Sequence, residues 1–569
     1  MSYNTSKQYL GKNKVGGKAM KILVIGSVAA GTSAAAKARR NSEQCEITVL
    51  EKGNDISYSG CGMPYLISGL VQQRQQLTPR DTEFFKERYN VNVRLHNQVE
   101  EIKPSEKVIL VRDLGSNEQY IMPYDKLIIC TGAMPIIPSL PGVDLPNVVA
   151  LRSMADLDIL LDRLQASKPQ KACVIGSGLV GLEMTESLTA NGIEVTLIEK
   201  ATAIMPYLDE DMAAWARLAL ERNGVNLVVG DEVTAIEGDS LGVKQVITRN
   251  GLQMETDLVI LAVGVKPNVD LAQTAGIKIG SLGGILVNQY LQTSEPDIYA
   301  AGDCIETVSL ITGNPIYRPM GSTANKTGRL AGQNCFGNQA AFNGVLGTSI
   351  CKLFNTTIGL TGLTEQDARQ HGYIPEVAHL IKPNHPDYYP GSSELIIKVI
   401  ADKNSGRLLG GQVIGQEGAD KRLDVLATCI YFKAHVNDLF QLDLAYAPPY
   451  STTKDPVTYA GMVLDNSLDH DRPLMRAKEL KTLLDKGRVT LIDVREYPQF
   501  EKGHIPGAVN ISLAELRSKT GEIKHDLPVV VYCNSGTSGN AAQNIMINSG
   551  FKEVFNLSGG YKNWVVYTG

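Results

Sequence analysis

The chain has 569 residues, enough for three or four domains of ordinary size, and 43% apolar with 20% charged residues is the composition of a globular protein with large cores. A formal net charge of −5 gives no reason to expect nucleic acid or an anionic membrane as partner, and no stretch reaches the ~18 apolar residues of a membrane-crossing helix. Nine cysteines are scattered without metal-ligand spacing or a disulfide framework, which predicts a reducing, cytoplasmic setting and no metal site.

Residues 1–19 are polar and lack the apolar core of a signal peptide, so they read as a leader. Lys21–Gly26 reads as a buried parallel strand feeding a Gly/Ala-rich turn (26–31) and an Ala-rich helix through Arg40. Glu46–Glu51 is the next strand and ends in an acid. The pattern recurs at Lys171–Ile175, the turn 176–181, a helix through Asn191 and the strand Glu194–Glu199. Two such βαβ units predict two doubly wound domains. Leu127–Pro135, Asp257–Pro267 and Ile298–Asp303 each read as a strand running into a glycine turn. From about 345 to 465 the periodicity changes to alternating strands followed by helices, a separate α+β unit. Residues 466–473 read as a polar linker, and 474–569 as an independent α/β unit.

Gly176-Ser-Gly-Leu-Val-Gly181 is a full GxGxxG between a strand and a helix. Gly176 permits the tight turn, Gly178 lets the backbone approach a pyrophosphate, Gly181 permits close helix packing, and Val180 lies between them. Glu199, about twenty residues on, is placed to accept hydrogen bonds from a ribose diol and to repel a 2′-phosphate, favouring NADH over NADPH, with Lys200 moderating the preference. The first turn, Gly26-Ser-Val-Ala-Ala-Gly31, has Val28 where the second glycine belongs, followed by Ala29 and Ala30. Glu51-Lys52, Thr131-Gly132, Gly264 and Gly302-Asp303 complete the candidate dinucleotide positions. A flavin in the first domain and a nicotinamide in the second is the economical reading.

This order of motifs, with the single cysteine of Ser57-Tyr-Ser-Gly-Cys61-Gly-Met-Pro-Tyr65 just after the first unit, resembles the one-cysteine class of pyridine nucleotide–disulfide oxidoreductases over residues 21–465. Ala445-Tyr-Ala-Pro-Pro-Tyr-Ser451 and Lys454-Asp-Pro456 resemble the dimerisation signature of its coenzyme A disulfide reductase branch. The C-terminal motifs 490–495, 503–510 and 530–538 resemble a rhodanese domain. The expected architecture is therefore α/β: an FAD domain (20–149 and 271–344), an NAD(P)H domain (150–270), an α+β dimerisation domain (345–465) and a rhodanese domain (474–569). The resemblance implies a homodimer, FAD held at Glu51 and Asp303, and NADH or NADPH as donor.

Where the two-cysteine reductases carry a pair, Cys61 stands alone, so its disulfide must form with a substrate thiol. The helix that Pro64 can open is expected to favour its thiolate. The resemblance implies a cycle through a mixed disulfide of Cys61 and coenzyme A. It also implies coenzyme A contacts at Ser33, Lys37, Arg39, Arg40 and Ser57, and tyrosines reaching the sulfur from the partner subunit, with Tyr446 and Tyr450 ahead of Tyr388 and Tyr389. Gly60 stands where the branch has asparagine.

Cys533 is expected to carry a sulfane sulfur as a persulfide in a nest of backbone N–H groups. Ser538 replaces the arginine usual five residues after that cysteine, which argues against thiosulfate as an efficient donor. Joined, the two halves predict reduction of coenzyme A persulfide, polysulfide or coenzyme A disulfide. One alternative is an NADH oxidase or peroxidase using Cys61 as a sulfenic acid. It is disfavoured because Ala29 stands where that class has histidine. A sulfur carrier or redox sensor without turnover is the other, disfavoured by the complete nicotinamide turn.

Overall fold

The computed structural model describes residues 19–524 and 526–569, so the expected leader lies outside the described residues except for Ala19. Two parallel five-stranded sheets form the first half. In one the order is Ile298–Ala300, Lys126–Ile129, Lys21–Ile25, Glu46–Leu50 and Asn92–Arg94. In the other it is Asn226–Val229, Glu194–Glu199, Lys171–Ile175, Leu258–Leu261 and Val148–Ala150. Helices cover both faces of such sheets, which is why the central strands are almost wholly apolar and Ile22, Val24, Leu127, Ile128 and Ile129 are fully buried. Val149 pairs with Ile260 of the second sheet. That strand straddles the border drawn at 149/150, and its pairing moves the second unit's start upstream; a three-residue run carries no turn signal that sequence reasoning could use.

An antiparallel sheet follows, in the order Ser349–Leu353, Thr356–Gly362, Leu408–Gly415, Glu394–Asp402 and Pro375–Pro383. Helices Ala419–Tyr431 and Pro456–Asp469 pack with it. The second of these runs through the first half of the expected 466–473 linker, because Leu468 packs on the core and Ser467 Oγ donates to Glu376 Oε1 at 2.6 Å. The C-terminal unit has its own parallel sheet: Leu474–Met475, Val554–Leu557, Val529–Tyr532, Thr490–Asp493 and Val509–Asn510. Among the described residues no helix is long and apolar enough to cross a membrane.

The C-terminal unit is docked through polar contacts around one buried lysine. Lys398 is fully buried, and its ammonium lies 3.0 Å from Asp209, 2.8 Å from Asp211 and 2.7 Å from Glu365. His379 Nε2 meets Asp211 at 2.8 Å, while its backbone N–H donates to Ser558 Oγ of the C-terminal unit at 2.9 Å. Arg476, from the same unit, pairs with Glu365 and Glu479. Trp215 Nε1 donates to Asn563 Oδ1 at 3.0 Å. Burial disfavours every charge in this cluster, but the surrounding carboxylates hold the Lys398 pKa above its ordinary value. Lys398 and His379 in turn overcome burial to keep Asp211 well below the usual carboxylate range. Removing one partner of a buried ionic group strands the others. Lys398→Met, which leaves three carboxylates facing one another, is expected to cost about 3–5 kcal/mol. Chemical denaturation of the full chain beside the wild type checks this; an unchanged midpoint would show that the carboxylates find other compensation.

Candidate active site

The first nucleotide turn is shaped by backbone contact. Gly26 has φ +96°, and a Cβ there would lie 2.3 Å from the Cys130 carbonyl oxygen, so no other residue fits. Glu51 closes the turn: Oε2 accepts from Ser27 N at 3.1 Å and Ser27 Oγ at 2.7 Å, and Oε1 accepts from Gly53 N at 2.9 Å. The helix Ala29–Asn41 begins with no acidic residue and no side-chain cap, leaving its N-terminal N–H groups for an anion. A cleft of 2390 Å³ borders this turn and is lined by Gly26, Ala29, Ala30, Glu51, Lys52, Thr131, Gly132, Gly302 and Asp303, and by Cys61. Its size and these donors fit an FAD molecule, with the turn toward the pyrophosphate and Glu51 toward a ribose. Gly31 does not line the cleft; its lack of a Cβ serves helix packing against the Gly26 carbonyl.

The second turn repeats the first. Glu199 Oε2 accepts from Ser177 N at 2.9 Å and Ser177 Oγ at 2.6 Å, and Oε1 accepts from Ala201 N at 2.8 Å. Gly176 has φ +101° and abuts the Ala262 carbonyl as Gly26 abuts that of Cys130. Gly178 starts the helix Leu179–Ala190, and a Cβ on it would meet nothing within 4 Å, so the approach to the backbone is open. Gly176, Gly178, Gly181 and Glu199 stay outside the first cleft, but Leu179, Val180 and Glu183 line it together with Cys61. Gly264, with φ +113°, turns the chain just before Val265, which lines the cleft.

Cys61 sits in a short 3₁₀ turn, Gly60–Gly62, ahead of the helix Met63–Ile67 that Pro64 opens. It is exposed to the cleft, and all nine cysteines are free thiols. Cys533 is buried at the end of strand Val529–Tyr532, its sulfur accepting from Gly536 N at 3.2 Å just before helix Thr537–Asn548.

Comparison with known proteins settles the family. The model described as pyridine nucleotide-disulphide oxidoreductase matches residues 20–320, and that of its dimerisation domain matches 348–456. The chain belongs to the pyridine nucleotide-disulphide oxidoreductase family. Residues 476–566 match the rhodanese-like domain. A relative from Pyrococcus furiosus named NAD(P)H sulfur oxidoreductase (CoA-dependent) is 36% identical over 445 residues, 78% of this chain and 99% of its own. One from Methanocaldococcus jannaschii named NADH oxidase is 34% identical, covering 78% of this chain and 98% of its own. Among solved structures, reduced CoADR-RHD of Bacillus anthracis matches at 38% identity and TM-score 0.94, covering 97% of this chain and 98% of that one. A NAD-dependent persulfide reductase from A. fulgidus matches at 36% identity and TM-score 0.90, covering 96% and 100%.

Within this oxidoreductase frame, several site expectations change. Arg39 is buried, and its guanidinium donates to the carbonyls of Tyr89, Ser42, Glu43, Cys45 and Asn90; it braces the fold and is closed to substrate. Ser33, Arg40 and Ser57 line the cleft, whereas Lys37 does not. Arg329 and Asn325, which carry no local motif, line it instead, and Ser33 Oγ donates to Asn325 Oδ1 at 2.7 Å. Tyr446, Tyr450, Tyr388 and Tyr389 are exposed and lie outside the cleft of their own protomer. A Cβ on Gly60 would meet nothing within 4 Å, so packing does not impose glycine there.

The Cys61 thiol also departs from expectation. Desolvation in the cleft floor, then the Glu183 carboxylate and Asp303, push its pKa up, and Arg152 opposes them. The five-residue helix after it does not reverse that balance. Glu183, two residues beyond the GxGxxG, is itself raised to about 7 by burial and by Glu186. Arg152, which no motif marked, pairs with Asp303 at 2.7 Å. Glu183→Gln removes a negative charge and is expected to move the pH midpoint of Cys61 alkylation downward in the flavin-loaded protein. Peptide-resolved alkylation across pH checks this; a midpoint at or above the wild-type one eliminates Glu183 as its determinant.

Proposed function

We propose that this enzyme is an FAD-dependent NAD(P)H oxidoreductase that reduces coenzyme A persulfide, polysulfide or coenzyme A disulfide through a mixed disulfide at Cys61, while Cys533 handles sulfane sulfur. The observation that carries it is a free thiol, Cys61, lining the same cleft as the first glycine turn and as residues of the helix that follows the second. The Cys61 thiolate attacks the inner sulfur of a persulfide R–S–SH; the Cys61–S–S–R bond forms, the original S–S bond breaks and HS⁻ leaves. Flavin, held at the first turn by Glu51 and Asp303, would supply the two electrons that return this disulfide to the Cys61 thiolate and RS⁻, with NAD(P)H as their source. Arg40, Ser33 and Ser57 hold the phosphates and adenosine of coenzyme A, with Lys37 adding charge from outside the cleft. Glu199 favours NADH.

The dimerisation domain supports a homodimer, in which the exposed Tyr446 and Tyr450 reach the sulfur centre of the other subunit. The oxidase reading has support in one relative's name, but Ala29 lacks the acid/base group that peroxide chemistry at Cys61 needs. Oxygen uptake driven by NADH at a rate matching persulfide reduction would favour it.

Anaerobic NADH oxidation with coenzyme A persulfide, following sulfide release, is the direct test. Cys61→Ser is expected to abolish turnover while leaving flavin reduction by NADH intact; surviving turnover rules the mechanism out. Cys533→Ser is expected to lower kcat/KM for polysulfide roughly tenfold or more while sparing coenzyme A disulfide. Equal loss on both substrates would remove the division of labour.

A further inference from the structure

The rhodanese loop lacks its own cation at Ser538, yet one lies against it. Lys382 closes the edge strand Pro375–Pro383 of the dimerisation sheet, and its ammonium donates to Thr537 Oγ1 at 2.6 Å. Thr537 is the first residue of the helix after the Cys533–Gly536 loop, whose Gly536 N–H already points at the Cys533 sulfur. Lys382 is half-buried, lies 4.3 Å from the centre of the Tyr459 ring, and has no carboxylate within 4.0 Å among the described residues. Tyr459 also faces the exposed Lys454, at 6.0 Å. Arg495, a rhodanese-domain cation that touches the loop at Asn534, is by contrast neutralised: it is bound to the fully buried Asp493 at 2.6 Å and lies over the Tyr561 ring at 4.1 Å.

Resting on the reading of Cys533 as a sulfane-sulfur carrier, we propose that Lys382 of the dimerisation domain is the anion-binding residue of the rhodanese site, holding the anionic donor and the Cys533 persulfide. An unpaired, partly desolvated ammonium is costly to keep unless an anion visits it, and an aromatic face offsets only part of that cost. Burial pulls the Lys382 pKa below the ordinary lysine value, while the Cys533 sulfur pushes it the other way. The transfer it serves balances without a redox partner. The Cys533 thiolate takes the outer sulfur of R–S–S⁻, giving Cys533–S–S⁻ and RS⁻, and an acceptor thiolate R′S⁻ removes that sulfur as R′–S–S⁻ and restores the thiolate.

Sulfur transfer by the full-length holoenzyme from glutathione persulfide to cyanide, read as thiocyanate across a salt series, tests it. The wild-type donor KM is expected to rise with ionic strength, as screening weakens a charge–charge contact. Lys382→Gln is expected to raise that KM about tenfold at low salt and to flatten its salt dependence, while Lys382→Arg keeps most of the wild-type behaviour. A lysine that only docks the domains would leave donor KM and its salt response at wild-type values, and that result overturns the proposal. Should Lys382→Gln fold poorly, Lys382→Arg decides: a salt-dependent KM near wild type supports the proposal, and a KM raised tenfold with a flat salt response overturns it. Cys533→Ser separates the two claims. Undiminished transfer in that variant defeats the role of Cys533 itself, whereas its loss beside a normal Lys382→Gln defeats only the role of Lys382.

Discussion

The arrangement of domains depends on placing one ammonium, that of Lys398, where water does not reach. Lys398 stands in the apolar strand Leu395–Ala401, and its register partners are His379 on one side and Gln412 on the other. All three are buried, so a polar row crosses an otherwise hydrophobic sheet. A row of that kind is tolerated only when every member is satisfied. Asp209 and Asp211, at the start of the helix Glu210–Arg222, meet this demand: Asp209 takes Gln412 Nε2 at 2.7 Å, and Asp211 takes His379 and Lys398. Glu365 shares the ammonium and passes the contact on to Arg476 of the rhodanese domain. The rhodanese domain is thereby held on two other domains at once by directional contacts. That is a stronger constraint on its orientation than an apolar interface of equal area, because polar groups left unpaired by a slip each carry a desolvation cost.

The two nucleotide turns show the same chemistry used twice with one difference. Each has a serine after the first glycine, an acid at the end of the neighbouring strand, and a carbonyl from a third strand pressed against the glycine. The first has Val28 where the second has Gly178, and still builds a turn of the same hydrogen-bonded form. The second glycine is thus needed for backbone access and not for the turn itself. Cys61 lies where the cleft of the first turn meets residues of the helix that leaves the second. A thiol so placed faces residues of both units, which accounts for its position better than any property of its own sequence neighbourhood.

Much of this was legible in the chain. Strand, turn and acid recur at fixed spacing in both units, and backbone geometry demands glycine at Gly26 and Gly176 whatever the tertiary context. Cys61 and Cys533 were marked by surrounding motifs. Groups that act across domains were not legible: Arg152 reaching Asp303, Asn325 and Arg329 bordering the cleft, Lys382 at Thr537. Each is an ordinary polar residue in its own segment, and its role exists only after distant strands have paired. Arg39 shows the converse. In sequence it belongs to a basic helix end, but five carbonyls converge on it, and that convergence is invisible to periodicity. Lys398 alone gave a signal that could have been read, a charge within six apolar neighbours, since a lysine in a central strand needs buried carboxylates from somewhere.

Cys533 and Cys61 do not share a cavity: the cleft that Cys61 lines contains no residue of the rhodanese domain. Both thiols are free, so neither is held in a disulfide with the other. If Cys533 gathers sulfur as proposed, that sulfur would cross to Cys61 on a carrier that can leave one site and enter the other. A long, flexible thiol with an anionic head suits both ends. Its head could be gripped by cations that line the cleft with Cys61, such as Arg40 and Arg329. At the rhodanese end an exchange step requires only that an anionic sulfur be held against Cys533 and then let go. A single half-buried lysine, without the buried pairing that fixes Arg495, would meet that requirement. A strongly bound anion would be a poor intermediate in a relay, and the absence of a loop arginine at Ser538 then belongs to the same logic as the absence of rhodanese residues from the cleft that Cys61 lines.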